Sequence, residues 1–492
     1  MWLLLVGCTE TTVEPARYGA LNGVVLDARS NQPLANVSIT TSPATSGYLT
    51  DAKGQFFIPQ IPAGTVAITA QKADYTTQTA NLTVSEGQTQ TVSVVLSKPS
   101  ATTPPNAPTR PEPPNGATNQ PVQLTLGWHP VQANKSDSLR YTVSLYESGN
   151  LNQRALLTNS RDTTVLVTGL RYATTYYWQV TVTNNSGNGS SARSPVWSFQ
   201  TQALPDNRIL FVRTTGTHSD IYSSNLNGGN LLQLTSEATT ETAPKLSPTR
   251  DVIAYTSNAT GQYQLYTMNR DGSNKRRVTT LAVEGYNNSG ISFCWSPDGA
   301  QLLYGHYNQL YRINRDGTGN TLVNTSSVDR HFRECDWTAQ NGGRIVVQVV
   351  GVNVYDAELY LLSTDGNVAD LLVGNLPGRL DSPSFSVDGT RVLYTRDVAG
   401  FNGVNGRQLD SHIFTQRLDG SNLLDVTAGS GTTNSKAVGT NDINPRYSPD
   451  GFSIIFVNQV NDNITPGDVW TAEATGSTRT KQFTNAALPD WR

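Results

Sequence analysis

Catalysis requires a nucleophile beside a base, a pair of carboxylates, or a metal held by clustered donors, so residues of these types are the first candidates. The five histidines, His129, His218, His306, His331 and His412, are scattered, and none pairs with another at metal-ligand spacing. No Gly-x-Ser-x-Gly elbow presents a serine for acyl transfer. Aspartate recurs beside glycine, at Asp271, Asp298, Asp316, Asp365, Asp388, Asp419 and Asp450. Calcium loops would need further oxygen ligands at alternate positions, which these pairs lack, so they read as turns. The expectation is a noncatalytic chain with no cofactor and no metal.

Recognition has better candidates. Two long stretches rich in Gly, Asn and Thr stand out, DVAGFNGVNGRQLD from Asp397 and AGSGTTNSKAVGTNDIN from Ala428. Long loops on a rigid scaffold commonly carry binding. Phe401, Arg407, Lys436 and Asp442, with Arg330, His331, Arg333 and Arg379 from neighbouring segments, are expected to form a mixed aromatic and basic patch.

The elements that must position these residues form a repeat from Arg208 onward. One phrase reads KLSPTRDVIAYTS from Lys245, CWSPDGAQLLYGH from Cys294, SFSVDGTRVLYTR from Ser384 and RYSPDGFSIIFVN from Arg446, with a worn copy, DWTAQNGGRIVVQV, from Asp336. The other alternates with it, as in LYTMNRDGSNKRRVT from Leu265 and IFTQRLDGSNLLDVT from Ile413. Each is a hairpin, and two hairpins recurring every ~40 to 50 residues make a four-stranded propeller blade. The first blade opens on ILFVR, already a second strand, while the sequence ends on Pro489-Asp490-Trp491-Arg492, which matches the start of an inner strand such as Cys294-Trp295-Ser296-Pro297. A propeller of six blades over 204–492, closed by its C-terminal strand, follows. These repeats resemble the propeller of TolB and related periplasmic proteins. That resemblance implies a fold and leaves the function open. Nothing after the propeller has room for the α/β-hydrolase domain of prolyl oligopeptidase-type enzymes.

Two smaller units precede it. The alternating strands of 19–97 are broken by Asn31-Gln32-Pro33, Lys53-Gly54 and Pro62-Ala63-Gly64. With Gly23-Val24-Val25, Pro33-Leu34, Asp51-x-x-Gly54-x-Phe56 and Ile61-Pro62-Ala63-Gly64, they resemble a carboxypeptidase regulatory-like β-sandwich, which implies a spacer or docking unit without catalytic residues. Residues 98–116 are rich in proline and read as a semi-rigid rod of ~50 Å. Residues 117–201, with Trp128, Leu170-x-x-x-Thr174-x-Tyr176 and Trp178, resemble a fibronectin type III β-sandwich.

Composition agrees with an all-β extracytoplasmic protein. Of the 492 residues 15% are charged, against about a quarter in an average domain, and the net charge of -3 offers no basic footprint for nucleic acid. Residues 1–8, MWLLLVGC, end in Leu5-Val6-Gly7-Cys8, which resembles a bacterial lipobox, although no basic segment precedes the short apolar run. The expectation is a signal whose true start lies upstream, a lipid carried by Cys8, a polar tether over 9–18, and a membrane anchor that does not span. Thr9 in place of aspartate favours the outer membrane over the inner. The other two cysteines, Cys294 and Cys335, fall in neighbouring inner strands. The repeat register puts their side chains on different faces of their blades, so free buried thiols are expected.

The leading reading is thus a membrane-tethered envelope lipoprotein, in the periplasm or at the surface, whose propeller rim binds a protein or a glycan. Two alternatives stand beside it. Some propeller lyases of pectate fragments use histidines and a divalent metal near the channel mouth, which makes a metal-dependent carbohydrate lyase or hydrolase the enzymatic alternative. The other is a structural envelope protein with no specific ligand.

Overall fold

The computed structural model describes residues 17–98, 104–131, 139–150, 152–184, 190–403, 406–428, 435–462 and 464–492. Cys8 lies outside them. Every element among the described residues is a β-strand, and the chain divides into two units, Met1–Leu204 and Pro205–Arg492.

The first unit holds two sandwiches. In the N-terminal one the opening strand, Tyr18–Asp27, alternates exposed and buried side chains along its length, as a strand with one face on a core must. It pairs antiparallel with Gln55–Pro62 and parallel with Thr89–Leu96. A second sheet, centred on Ser38–Ser42 and Gly64–Gln71, closes over a core of Leu21, Val25, Ile39, Ile58 and Ile68. In the second sandwich Trp128 packs edge-on to Tyr141 at 5.4 Å, and Trp178 packs against Trp197 at 4.8 Å. The Tyr176 hydroxyl accepts the Arg171 backbone N–H at 2.8 Å, which caps the corner where the chain enters the strand Thr175–Asn184.

This sandwich begins earlier than its composition indicates. Thr109–Glu112, inside the stretch read as a proline rod, is a strand paired with Leu124–His129, and the Asn115 side chain accepts the Ser198 N–H at 2.8 Å. Proline is tolerated there because the strand lies at a sheet edge, where one face of its backbone needs no ladder partner. The linker is correspondingly shorter than 98–116.

The second unit is a propeller, with six four-stranded sheets among the described residues. The inner strands of blades two to six are Glu241–Leu246, Phe293–Trp295, His331–Thr338, Leu380–Phe385 and Thr440–Tyr447. Blade one takes its inner strand from the far end of the sequence, where Ala487–Trp491 pairs antiparallel with Ile209–Thr215. The ring is closed by hydrogen bonds rather than by packing alone.

The repeated phrases have mechanical meanings. In Ser-Pro-Asp-Gly the Ser296 hydroxyl donates to Asp298 at 2.5 Å and accepts the Gln301 N–H at 2.9 Å, while Gly299 takes a φ of 70° that a side chain would resist. Ser386 with Asp388 and Ser448 with Asp450 repeat the device, and the hydrogen bond from Ser296 holds the Asp298 carboxyl below the usual carboxylate range. The threonine that ends the other phrase is a cap: Thr235, Thr279 and Thr427 each accept, through Oγ1, the N–H of a residue in the third strand, Ile221, Leu265 and Ile413, at 2.8 to 3.0 Å. Between second and third strands, directly opposed aromatic rings stack in four blades: Phe211 on Tyr222, Tyr255 on Tyr266, Tyr304 on Tyr311 and Tyr394 on Phe414.

Blades are joined near the channel by the residue preceding the inner-strand aromatic. Asp490 accepts the Leu246 N–H of blade two at 2.9 Å, and Asp336 accepts the Phe385 N–H of blade five at 2.8 Å. Both sites are largely buried, and Asp490 seals the ring at its junction. Replacing Asp490 with alanine leaves a buried donor unpaired, with an expected loss of about 1–3 kcal/mol in urea unfolding of the full chain. An unchanged midpoint and slope would show that this carboxylate does not hold the junction.

Candidate functional site

Propeller topology places the connections between second and third strands on the same rim as those between successive blades. The expected site residues lie on this rim or on the channel wall behind it, and the structure assigns most of their charge to internal partners. Asp442 is fully buried and receives both guanidinium nitrogens of Arg479, at 2.6 and 2.8 Å, with Thr427 and Asn458 completing its shell. Lys436 is ion-paired to Asp410 and donates to the Thr440 carbonyl at 2.8 Å. Arg330 reaches Asp356 at 2.6 Å and Glu358 at 3.2 Å. Arg333 is buried among the Asn287 carbonyl, Glu334, Gln348 and Asp381, and Arg379 joins the same cluster through Asp381.

The mixed basic patch is therefore corrected. Its cations are not available as a field for an anionic ligand, because the folded chain supplies a carboxylate to each one described. Arg407 pairs with Asn402 through the backbone, and its side chain lies outside the described residues. Phe401 differs from the rest, standing 58% exposed on a small hairpin, Phe401–Gly403 with Gly406–Gln408.

Three of the propeller histidines, His306, His331 and His412, are also engaged. His331 lies flat on Tyr286, ring centroids 3.7 Å apart, and its Nδ1 accepts the Tyr286 N–H at 3.0 Å. Tyr307 packs beside both His331 and His306, and His306 Nδ1 lies 2.8 Å from the Ala282 carbonyl. His412 sits between Asp425, at 2.7 Å, and Asp410, at 3.5 Å. Among the described residues no three His, Cys, Asp or Glu side chains converge as metal ligands would.

Behind the rim the channel is nearly shut. Glu334 accepts the Ser382 N–H at 3.1 Å, Asn444 donates to the Ser382 hydroxyl at 3.2 Å, and Arg446 donates to the Ser382 carbonyl at 3.4 Å. The space beside this plug is about 20 Å³, close to that of a single water. On the opposite face, a funnel of about 450 Å³ opens between the inner-strand turns, but the Asp336 and Asp490 that border it are the interblade clamps described above.

Several features were not readable residue by residue. A ladder of asparagines ties the loops of blades five and six together: Asn441 accepts the Ser411 N–H at 2.9 Å, Asn461 donates to the Leu409 carbonyl at 2.7 Å, and Asn441 donates to Asn461 at 3.1 Å. On the loops themselves stand isolated apolar residues, Val352, Val438 and Ile464, all strongly exposed. Their only signal in sequence is a β-branched side chain stranded in a Gly- and Asn-rich loop.

One consequence is a pH dependence at His331. Burial pushes its pKa below the ordinary value, and only the neutral ring accepts the Tyr286 N–H. Its stabilising contribution is complete above the unfolded pKa of about 6.5 and is lost as pH falls toward the lower folded value. The His331 ring signals in NMR should titrate with a midpoint below about 6.5, with the Tyr286 amide shifting in step; a midpoint at or above that value would contradict this burial.

Residues 21–103 match the CarboxypepD_reg-like domain, 109–199 the fibronectin type III domain, and 174–372 the TolB beta propeller domain. The last match begins within strands that the structure gives to the sandwich and ends before blades five and six. None of the curated proteins matches the chain. Among solved structures, TolB from Acinetobacter baumannii is 14% identical with a TM-score of 0.44, covering 64% of this chain and 79% of its own. A TolB described as putative, from Agrobacterium tumefaciens, is 18% identical with a TM-score of 0.40, covering 57% and 90%. An oligogalacturonate lyase in complex with manganese is 13% identical with a TM-score of 0.36, covering 56% and 74%. The chain thus carries, in order, a carboxypeptidase regulatory-like domain, a fibronectin type III domain and a TolB-type β-propeller.

Proposed function

We propose that this chain is a noncatalytic binding protein of the bacterial envelope, and that the loop rim over blades four to six of its propeller docks a partner protein. The observation that carries the reading is the contrast on that rim. The charged side chains described above are paired within the fold, while Phe401, at 58% exposure, Ile464, at 85%, Val352 and Val438 face solvent on the loops. Exposed apolar side chains fixed on an ordered platform gain free energy only when another surface covers them. The asparagine ladder ties the segments next to Val438 and Ile464 together, which lowers the ordering entropy lost on docking there. An apolar rim of this kind suits a protein better than a glycan.

The test uses the full chain beside a variant carrying Phe401→Ser, Val438→Ser and Ile464→Ser. A protein retained from envelope extract by the first, then purified, should bind the variant about tenfold or more weakly. Equal binding to both removes the rim from the interface.

The same reading includes a tether. The apolar run before Cys8 is taken as the end of a lipoprotein signal, so the mature chain is held at a membrane, with the outer membrane favoured, by a lipid on Cys8. No described helix is long and apolar enough to cross a membrane. Metabolic labelling with radioactive palmitate in the native host should mark the chain, and Cys8→Ala should abolish the label and release the protein from the membrane fraction. Label persisting in the variant would place the lipid elsewhere.

A further inference from the structure

Interfaces between blades are held near the channel by one recurring position, the residue just before the inner-strand aromatic or, in blade two, before Leu246. From blade one Asp490 reaches the Leu246 N–H, from blade two Lys245 Nζ donates to the Phe293 carbonyl at 2.5 Å, and from blade four Asp336 reaches the Phe385 N–H. Blade three has Cys294 in that position. It faces Cys335 of blade four, with the two sulfurs 2.9 Å apart and both side chains buried.

The sequence register correctly places the two thiols on different faces of their blades, but that does not separate them. In a ring of blades each sheet presents one face to the blade before it and the other to the blade after it. Residues on opposite faces of consecutive blades are therefore the ones that confront each other. Strand pairing fixes both backbones, Cys294 opposite Leu303 and Cys335 opposite Val347, so the contact is built into the ladder.

We propose that Cys294 and Cys335 form a disulfide that joins blades three and four, as the covalent counterpart of the polar clamps at the neighbouring interfaces. Two S–H bonds break and one S–S bond forms. The two protons and two electrons pass to an exogenous disulfide, which is reduced to two thiols. In the closed ring, burial pushes the Cys294 thiol well upward, which withholds the thiolate that exchange requires. The bond is accordingly made while the interface is open, before or during folding. Once formed it closes the loop between residues 294 and 335 and restricts the unfolded chain.

The test is a disulfide map of the full chain, both as isolated without reductant and after refolding from the reduced, denatured state in glutathione redox buffer. The protein is denatured in the presence of an alkylating agent, digested and read by mass spectrometry. The Cys294 and Cys335 peptides should appear as one linked species, two hydrogens lighter than their sum and free of alkylation, and reductant should separate them. The oxidised chain should also unfold at a higher urea concentration than the reduced chain. In Cys294→Ser, Cys335 should become fully alkylatable. Recovery of both peptides as alkylated monomers under every glutathione ratio, or linkage of either to Cys8, would overturn the proposal; because the wild-type map decides it, misfolding of the variant would not leave it open.

Discussion

The propeller depends on one set of hydrogen bonds between the ends of its chain. Ile209–Thr215 has no inner neighbour until Ala487–Trp491 lies beside it, and the Arg492 N–H then reaches the Arg208 carbonyl at 3.1 Å. Without that pairing blade one would be a three-stranded sheet with an open edge, and blade two would lose the Asp490 clamp on Leu246. Such an edge is a template for pairing with another chain. Every other interface in the ring passes its position on to the next, so an error at the junction is shared around the circle.

Most of this was legible because the fold is periodic. The Asp-Gly pairs, the threonines that end the second phrase and the Trp of the last four residues each recur in several copies, and a feature seen several times constrains its own meaning. The closing strand followed from aligning Trp491 with Trp295, and the structure pairs Ile209 with Trp491 as Leu302 pairs with Trp295. Where no copy existed, the reading failed. Thr109–Glu112 occurs once, its prolines resemble a rod, and only its partner strand shows it to be an edge.

The site was less legible, and the reason is physical. A side chain's charge is a property of the residue, but its availability is a property of the neighbours. Asp442 with Arg479 is joined across the sheet of blade six, and Lys436 with Asp410 across the connection between blades five and six. Arg333 with Asp381 and Cys294 with Cys335 each lie about one repeat apart in the sequence, which is the separation at which consecutive blades touch. Reading the register between blades, and not only within them, is what would have exposed these pairs. The apolar loop tips escaped notice for the opposite reason, since a single valine in a polar loop is unremarkable until its neighbours leave it uncovered.

The closing strand also sets the order in which the protein can be completed. A ribosome delivers Ile209–Thr215 long before Ala487–Trp491, so blade one waits, three strands wide, while all the other blades emerge. Contacts separated by so much sequence form late, because loop-closure entropy must be met before the contact repays it. During that interval the growing chain carries an unpaired strand edge and needs to be kept from its neighbours. The strand Ala487–Trp491 is what brings the waiting edge to an end.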